Sequence, residues 1–340
     1  MYCSPLILSV YVSVCFPDSP DLTAGSLEPL TRCPRLHILT LSGGVPDAVS
    51  LEPLTRCPEL RWLSVTPADL PRLRGQLPKC LWRLNVRGPE VTEPRWPKRY
   101  WVDVLSVSLQ GVAADTISHL ADLGRTVTRL EIYDCSDLTA GSLEPLARCH
   151  GLRGLTLSGG VTDTVSLEPL TRCRELRGLT LSGGVPDTVS LEPLTRCPVL
   201  RELTLSGGVP DAVSLKPLTR CPELRYLTLS GGVPDSVLDS LSGCPGLWCL
   251  TLGDRQRPAE TAFTAAAYTR LVKSCRQLQY LYLHCTADTT RAVLTALKEA
   301  DLGRDSDGER RTIYLSVPGE LCRQLKSQEG RWVKVWEWKY

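Results

Sequence analysis

Cys173–Arg196 reads CRELRGLTLSGGVPDTVSLEPLTR, and the chain repeats it on both sides nearly letter for letter. Cys149, Cys173, Cys197 and Cys221 stand 24 residues apart, Cys244 follows at 23, and Cys33 and Cys57 are again 24 apart. A fixed period of this length marks a stacked-repeat architecture. Within the unit the apolar positions are Leu176, Leu179, Leu181, Val185, Val189, Leu191 and Leu194. The spacing Leu-x-x-Leu-x-Leu puts Leu179 and Leu181 on one side of a strand, because strand side chains alternate. Gly183 and Gly184 let the chain turn, and Pro186 and Asp187 continue the turn. Ser190 then caps a short helix whose first turn holds Leu191, Glu192 and Pro193. Proline is tolerated there because its missing N–H had no helical partner anyway. A helix this short is unstable alone, so a unit holds together only when neighbouring units cover both of its open faces.

The pattern resembles a leucine-rich repeat, and more specifically its cysteine-containing class. Thr128–Cys149, TRLEIYDCSDLTAGSLEPLARC, carries the resemblance most fully, with Cys135 where that class often has a second cysteine. Similar arrays follow F-box domains in substrate receptors of ubiquitin ligases and occur in repeat-only proteins of unicellular eukaryotes. The resemblance covers roughly residues 20–317. It implies an α/β solenoid: a horseshoe with parallel β-strands on the concave face and short helices or turns on the convex face. It is informative about fold and says little about function.

Taken in order, the chain divides into three expected regions. Residues 1–20 read as a partial first repeat or N-terminal segment, since Asp21–Cys33 repeats Asp137–Cys149 with one change, Thr31 for Ala147. That alignment sets Val10–Cys15 near Leu130–Cys135. The rival reading of Met1–Phe16 is a signal peptide, although no basic n-region precedes it. A polar N-terminal cap is missing, so upstream sequence or a partner is expected over that end. Residues 21–317 form the solenoid, with strands expected at Leu36–Leu41, Leu60–Val65, Leu81–Val86 and Leu105–Leu109. The pattern degenerates over residues 66–126, where Pro89, Pro94 and Pro97 break it, and Ala113–Leu123 reads as an amphipathic helix. Longer helices are expected at Ala259–Ser274 and Thr289–Ala300, and a charged loop at Asp301–Arg311. Residues 318–340 read as a C-terminal cap, with the tryptophans of Trp332–Trp338 covering the last leucine layer.

Several chemistries are set aside. The net charge is +2, which gives no broad electrostatic case for nucleic acid or an anionic membrane. No run approaches about 18 apolar residues, so no membrane span is expected. The tetrapeptide LSGG recurs at Leu41, Leu157, Leu181, Leu205 and Leu229, as in ABC-type ATPases, but no G-x-x-x-x-G-K-[ST] loop accompanies it. It reads as the end of each strand. The 15 cysteines include no C-x-x-C pair, and there are four histidines, so no zinc site is expected. Cys33, Cys57, Cys149, Cys173, Cys197, Cys221 and Cys244 share one repeat position, which reads as buried structural thiols in a reducing compartment. His37, His119, His150 and His284 recur with no acid or serine at a useful spacing, so neither an enzyme nor a cofactor is expected.

Arginine recurs in two series. Arg148, Arg172, Arg196 and Arg220 precede the cysteine, with Glu144, Glu168 and Glu192 four residues before the first three, an order that favours local pairing. Arg153, Arg177, Arg201 and Arg225 stand at the strand entrance. Outward strand positions line the expected concave face, where solenoids commonly bind. In the central repeats these are Gly, Thr and Ser. Toward the C-terminal end they become Glu202, Tyr226, Cys249, Tyr280, Tyr282 and His284; toward the N-terminal end, Trp62, Arg83 and Asn85. Aromatics and arginine dominate interaction hot spots. The sequence therefore points to a non-enzymatic scaffold whose concave face binds a protein partner through Tyr226, Tyr280, Tyr282, His284 and Glu202, with Trp62 and Arg83 as a second patch. A ubiquitin-ligase adaptor role follows by analogy, and cytoplasmic localisation is expected. The alternative is a secreted or surface recognition protein of an expanded repeat family.

Overall fold

The structure, a computed structural model, describes residues 23–41, 43–73, 77–88, 105–123, 127–135, 138–159, 165–210, 213–254, 256–258, 263–304 and 308–337. The expected strand at Val10–Cys15 and the prolines at 89, 94 and 97 lie outside the described residues. The chain forms two compact units, Met1–Asp137 and Leu138–Tyr340.

In the first unit the strands are β1 (Ile38–Thr40), β2 (Trp62–Val65), β3 (Arg83–Arg87), β4 (Leu105–Gln110) and β5 (Val127–Tyr133). They pair in parallel and in chain order, with Leu39 opposite Leu63, Leu63 opposite Leu84, Leu84 opposite Val107, and Val107 opposite Leu130. The repeat continues through the degenerate stretch because Leu81, Leu84 and Val86 keep their places in the core.

The second unit holds β6 (Gly154–Ser158), β7 (Gly178–Ser182), β8 (Glu202–Ser206), β9 (Tyr226–Ser230), β10 (Cys249–Gly253), β11 (Tyr280–His284), β12 (Ile313–Val317) and β13 (Val333–Glu337). These also pair in parallel in chain order, and Leu179, Leu203, Leu227, Leu250, Leu281, Leu315 and Val335 share one register line. All seven are buried. The inner leucines thus stack on one another while every second side chain faces away from them, which is the period-2 pleat acting through each repeat. The architecture is an α/β leucine-rich-repeat solenoid.

The strand-to-strand turn explains the paired glycines. Gly207 and Gly231 have φ of +97°. A Cβ on Gly207 would lie 2.3 Å from the Gly184 backbone nitrogen. Both the left-handed backbone and the closeness of successive turns therefore exclude a side chain.

The expected short helices are 3-10 turns, five residues each: Glu28–Arg32, Glu52–Arg56, Glu144–Arg148, Glu168–Arg172, Glu192–Arg196 and Lys216–Arg220. Five residues with proline in the first turn leave too few N–H groups to propagate an α-helix, and the i→i−3 bond closes instead, as from Cys197 to Leu194 at 3.0 Å. Leu191, not Ser190, is the N-cap, and Ser190 stands one residue earlier with its Oγ accepting the Glu192 N–H at 3.2 Å. Ala114–Asp122 is likewise 3-10. Toward the C-terminus true α-helices replace the 3-10 turns: α1 (Asp235–Ser240), α2 (Ala265–Ser274), α3 (Ala287–Glu299) and α4 (Gly319–Leu325), of which α2 and α3 fall where the repeat lengthens. Thr264 and Thr286 cap α2 and α3, each accepting an N–H three residues on at 3.2 Å.

Three expectations about charge and ends change. Two arginines before the cysteine reach the preceding repeat: Arg220, which has Lys216 in place of a local glutamate, bonds Glu192, and Arg56 bonds Glu28 at 2.8 Å while keeping the local pair with Glu52 at 3.3 Å. The supposed charged loop at Asp301–Arg311 ends in a buried guanidinium. Arg311 donates to the carbonyls of Val272, Leu302, Cys275 and Leu278 at 2.7–3.1 Å, satisfying chain ends that a helix leaves open. The last leucine layer is covered by Val333 and Val335; strand alternation turns Trp336 outward, 55% exposed, and Trp338 lies outside the described residues. The free edge of β13 is closed by its own chain. Lys326 donates to the Val335 carbonyl at 2.7 Å, Glu329 accepts the Val335 N–H at 2.8 Å, and the Gly330 N–H reaches the Val333 carbonyl at 3.0 Å. An edge with its backbone groups taken up offers no template for another strand.

Candidate protein interface

The outward face of the second unit is built by the same alternation that buries its leucines. Glu202, Tyr226, Cys249, Tyr280, Tyr314 and Lys334 share one register line; Thr228, Thr251, Tyr282, Ser316 and Trp336 share the next. Trp248 enters just before β10, its N–H bonded to the Arg225 carbonyl at 3.0 Å. Its ring lies 5.6 Å from that of Tyr226, edge-on at 84°, and 4.5 Å from that of Tyr280 at 56°. Tyr280 stacks on Tyr314 at 5.1 Å and 14°, and Tyr314 meets Trp336 at 6.1 Å. Five aromatic rings therefore run in a continuous row across β9–β13. Its ends are open, with Tyr226 42% and Trp336 55% exposed. Cys249, between Tyr226 and Tyr280, is buried, and burial pushes its thiol up to about 11. Burial also raises Tyr282, which stays a neutral phenol able to donate.

Beside the row is a groove of about 560 Å³ lined by Arg201, Glu223, Arg225, Tyr226, Gly246, Trp248 and Gln277. Arg201 pairs with Glu223 at 3.6 Å. Arg225 donates to the Gly246 carbonyl at 3.0 Å. A Cβ on Gly246 would lie 2.8 Å from the Pro222 backbone carbonyl, so the close approach requires glycine.

The first unit's outward face is different. Trp62 is half-buried, with the Arg83 guanidinium 5.5 Å from its ring centre. Arg83 itself is 7% exposed and is held by Glu131 at 2.8 Å and Asn85 at 3.2 Å. Arg87 donates to Ser64 at 2.9 Å, and Gln110 to Ser108 at 3.1 Å. This is a closed hydrogen-bonded network.

Of the residues singled out from the sequence, Glu202, Tyr226, Tyr280 and Tyr282 come together on the open aromatic face. His284 lies at the far end of β11, opposite Gly253, and is 5% exposed. Arg83 is drawn into the network of the first unit. The sequence reading missed Trp248, Tyr314 and Trp336. Tyr314 follows from the alternation already used for Tyr280. Trp336 needed the inward assignment of Val333 and Val335, and Trp248 takes the strand-entrance position that Arg225 holds one repeat earlier, which the sequence reading followed only as an arginine series.

The cysteine position is a hydrogen-bonding one. Cys173, Cys197, Cys221 and Cys275 donate to the carbonyls of Leu146, Leu170, Leu194 and Leu241 at 3.4–3.6 Å, each in the preceding repeat. A small side chain with one weak donor fits between layers. Burial pushes Cys173 up to about 12 and Cys197 and Cys221 to about 11. Cys33 departs from the expectation and is exposed. No group of His, Cys, Asp or Glu able to hold a metal is found among the described residues, and none of their helices is long and apolar enough to cross a membrane.

No protein-family model matches the chain, and no curated protein matches it in sequence. Among solved structures it is similar to the mouse RP105/MD-1 complex, at 16% identity and a TM-score of 0.41, over 88% of this chain and 60% of that one. It is similar to a TLR13–ssRNA13 complex at 14% identity and 0.45, over 97% of this chain and 50% of that one. The yeast Rad7 and Elc1 complex gives 16% identity and 0.37, over 92% and 85%. The chain thus spans 60% and 50% of the first two. Scores this low carry no functional argument; the fold rests on the repeat, the strand register and the buried leucines.

Proposed function

We propose that the chain is a non-enzymatic scaffold that binds a protein partner on the outward face of its second unit, the side that is concave in leucine-rich-repeat solenoids. The observation that carries this reading is the continuous row Tyr226, Trp248, Tyr280, Tyr314 and Trp336, open at both ends. Aromatic side chains supply most of the binding energy in protein interfaces, whereas the Gly, Thr and Ser of β6 and β7 need no partner to explain them. Tyr282 and Glu202 flank the row, while His284 is buried at the far end of β11 and is left out of the contact. Trp62, positioned by Arg83, is the weaker second contact.

The repeats resemble the cysteine-containing class, and on that resemblance the partner is a substrate brought to a ubiquitin ligase in the cytoplasm. The thiols buried in successive repeats support a reducing compartment. Secretion is the alternative, and a cleaved N-terminus with oxidised cysteines in the native protein would establish it. The test of the interface is affinity capture from the native cell, wild type against a Tyr226/Tyr280/Tyr282→Ser variant that keeps a cooperative melt well above the capture temperature. Loss of a specific bound protein with the variant is expected; an unchanged set of bound proteins overturns the assignment.

A further inference from the structure

We infer that the occupant of this face is an extended, proline-rich segment of the partner that carries a carboxylate at one end. The inference rests on the reading that the second unit's outward face binds protein, and it names the chemistry of what binds.

The spacing of the rings is the first reason. Neighbouring strands lie about 4.8 Å apart, so the row from β9 to β13 crosses about 19 Å. A polyproline II segment rises about 3.1 Å per residue with three residues per turn. Its turn of about 9.3 Å is close to two strand spacings, about 9.6 Å, and the ring centres follow the strands in steps of 4.5–6.1 Å. Every third residue then meets every second strand, and about six or seven residues cover the row.

Ring orientation is the second. Tyr280 and Tyr314 turn their faces toward each other, at 14° and 5.1 Å, and so present their edges outward. Ring edges carry the positive end of the quadrupole and favour oxygen. A polyproline II backbone makes no internal hydrogen bonds and leaves its carbonyls free. Nucleobases need exposed ring faces to stack on, and in this pair those faces are turned to one another.

Charge complementarity sets the end of the segment. Arg201 already has Glu223 at 3.6 Å. Arg225, in the same groove, is bonded to the Gly246 carbonyl and has no carboxylate partner among the described residues. A carboxylate entering the groove of about 560 Å³ would meet that guanidinium beside Tyr226 and Trp248. The edge of β13 is closed by Lys326, Glu329 and Gly330, so strand addition there does not compete.

The test uses the full chain and labelled peptides of roughly ten residues, long enough to cover the row. Proline is fixed at every third position, with an Asp-Glu, Ser-Ser or Lys-Lys pair at either end. An alanine-for-proline series and an oligothymidine complete the set, and binding is read by fluorescence anisotropy. The acid-ended proline peptides should bind about tenfold more tightly than the lysine-ended ones. Arg225→Gln should bring them to the serine-ended level, and Tyr280→Ser should weaken every proline peptide about tenfold.

Three results would overturn the inference. They are no binding of any proline peptide up to about 1 mM, equal binding of acid- and lysine-ended peptides, or preference for alanine peptides or oligothymidine. If the peptides fail while a captured protein is still lost with the Tyr226/Tyr280/Tyr282→Ser variant, the face stands and only its occupant is wrong. If capture is also unaffected, both readings fall.

Discussion

The two units carry the same inner leucine layer under opposite outer faces. In the first, the outward positions Arg83, Asn85, Ser108, Gln110 and Glu131 are buried, with Arg83 bonded to Asn85 and Glu131, and Gln110 to Ser108. In the second, the corresponding positions are small residues and then a row of aromatic rings open at both ends. A residue type therefore does not announce its role. Arginine at position 83 is held by an internal carboxylate at 2.8 Å, while Arg225 holds a carbonyl and has no carboxylate partner among the described residues. Glu131, on β5 beyond β4, makes the difference.

The comparison breaks first at what both faces share. Leu203→Asp places a charge within the leucine layer, and a loss of more than about 4 kcal/mol is expected, seen as the disappearance of the cooperative melt. An unchanged melt would mean that the strand register is wrong.

The closed face is tested by Glu131→Ala, which leaves Arg83 buried without its partner. About 3–5 kcal/mol of stability should be lost, and an Arg83→Met/Glu131→Leu pair should recover most of it. If Glu131→Ala costs nothing, the first unit's face is solvated and competes with the second as a binding surface.

Alkaline pH sharpens the contrast through the thiols. A cysteine in the unfolded chain ionises near 9, while folded Cys173 holds its proton to about 12 and Cys197 and Cys221 to about 11. The native state then binds more protons than the unfolded one, so stability present below about pH 9 falls as pH rises toward about 12. The second unit, which holds these three thiols, should open first in hydrogen exchange at high pH. Cys173→Ala should flatten the fall.

Tyr280→Ser should cost only about 1–3 kcal/mol of stability, because its two ring contacts contribute about 0.5–1.5 kcal/mol each, yet weaken the partner about tenfold. A calorimetric melt beside a binding titration separates the two. Smallest of all is Arg220→Gln: its exposed bond to Glu192 should be worth less than about 1 kcal/mol in denaturant unfolding.

The sequence by itself determined the repeat. The 24-residue period, the Leu-x-x-Leu-x-Leu spacing and the paired glycines specify strand, turn and stacking, because each obeys a local rule: alternation, positive φ, or proline in a first turn. Tyr226, Tyr280 and Tyr282 were legible for the same reason. What only the tertiary structure decided are the relations between repeats. The reach of Arg220 back to Glu192 and the thiols bonded to the preceding repeat depend on how layers meet. So do the burial of Arg83 against Glu131, 48 residues on, and of Arg311 among four carbonyls. The placing of Trp248 between two tyrosines belongs with them. No local rule sets these partners; they come from strands lying about 4.8 Å apart, which brings residues two dozen positions apart into contact.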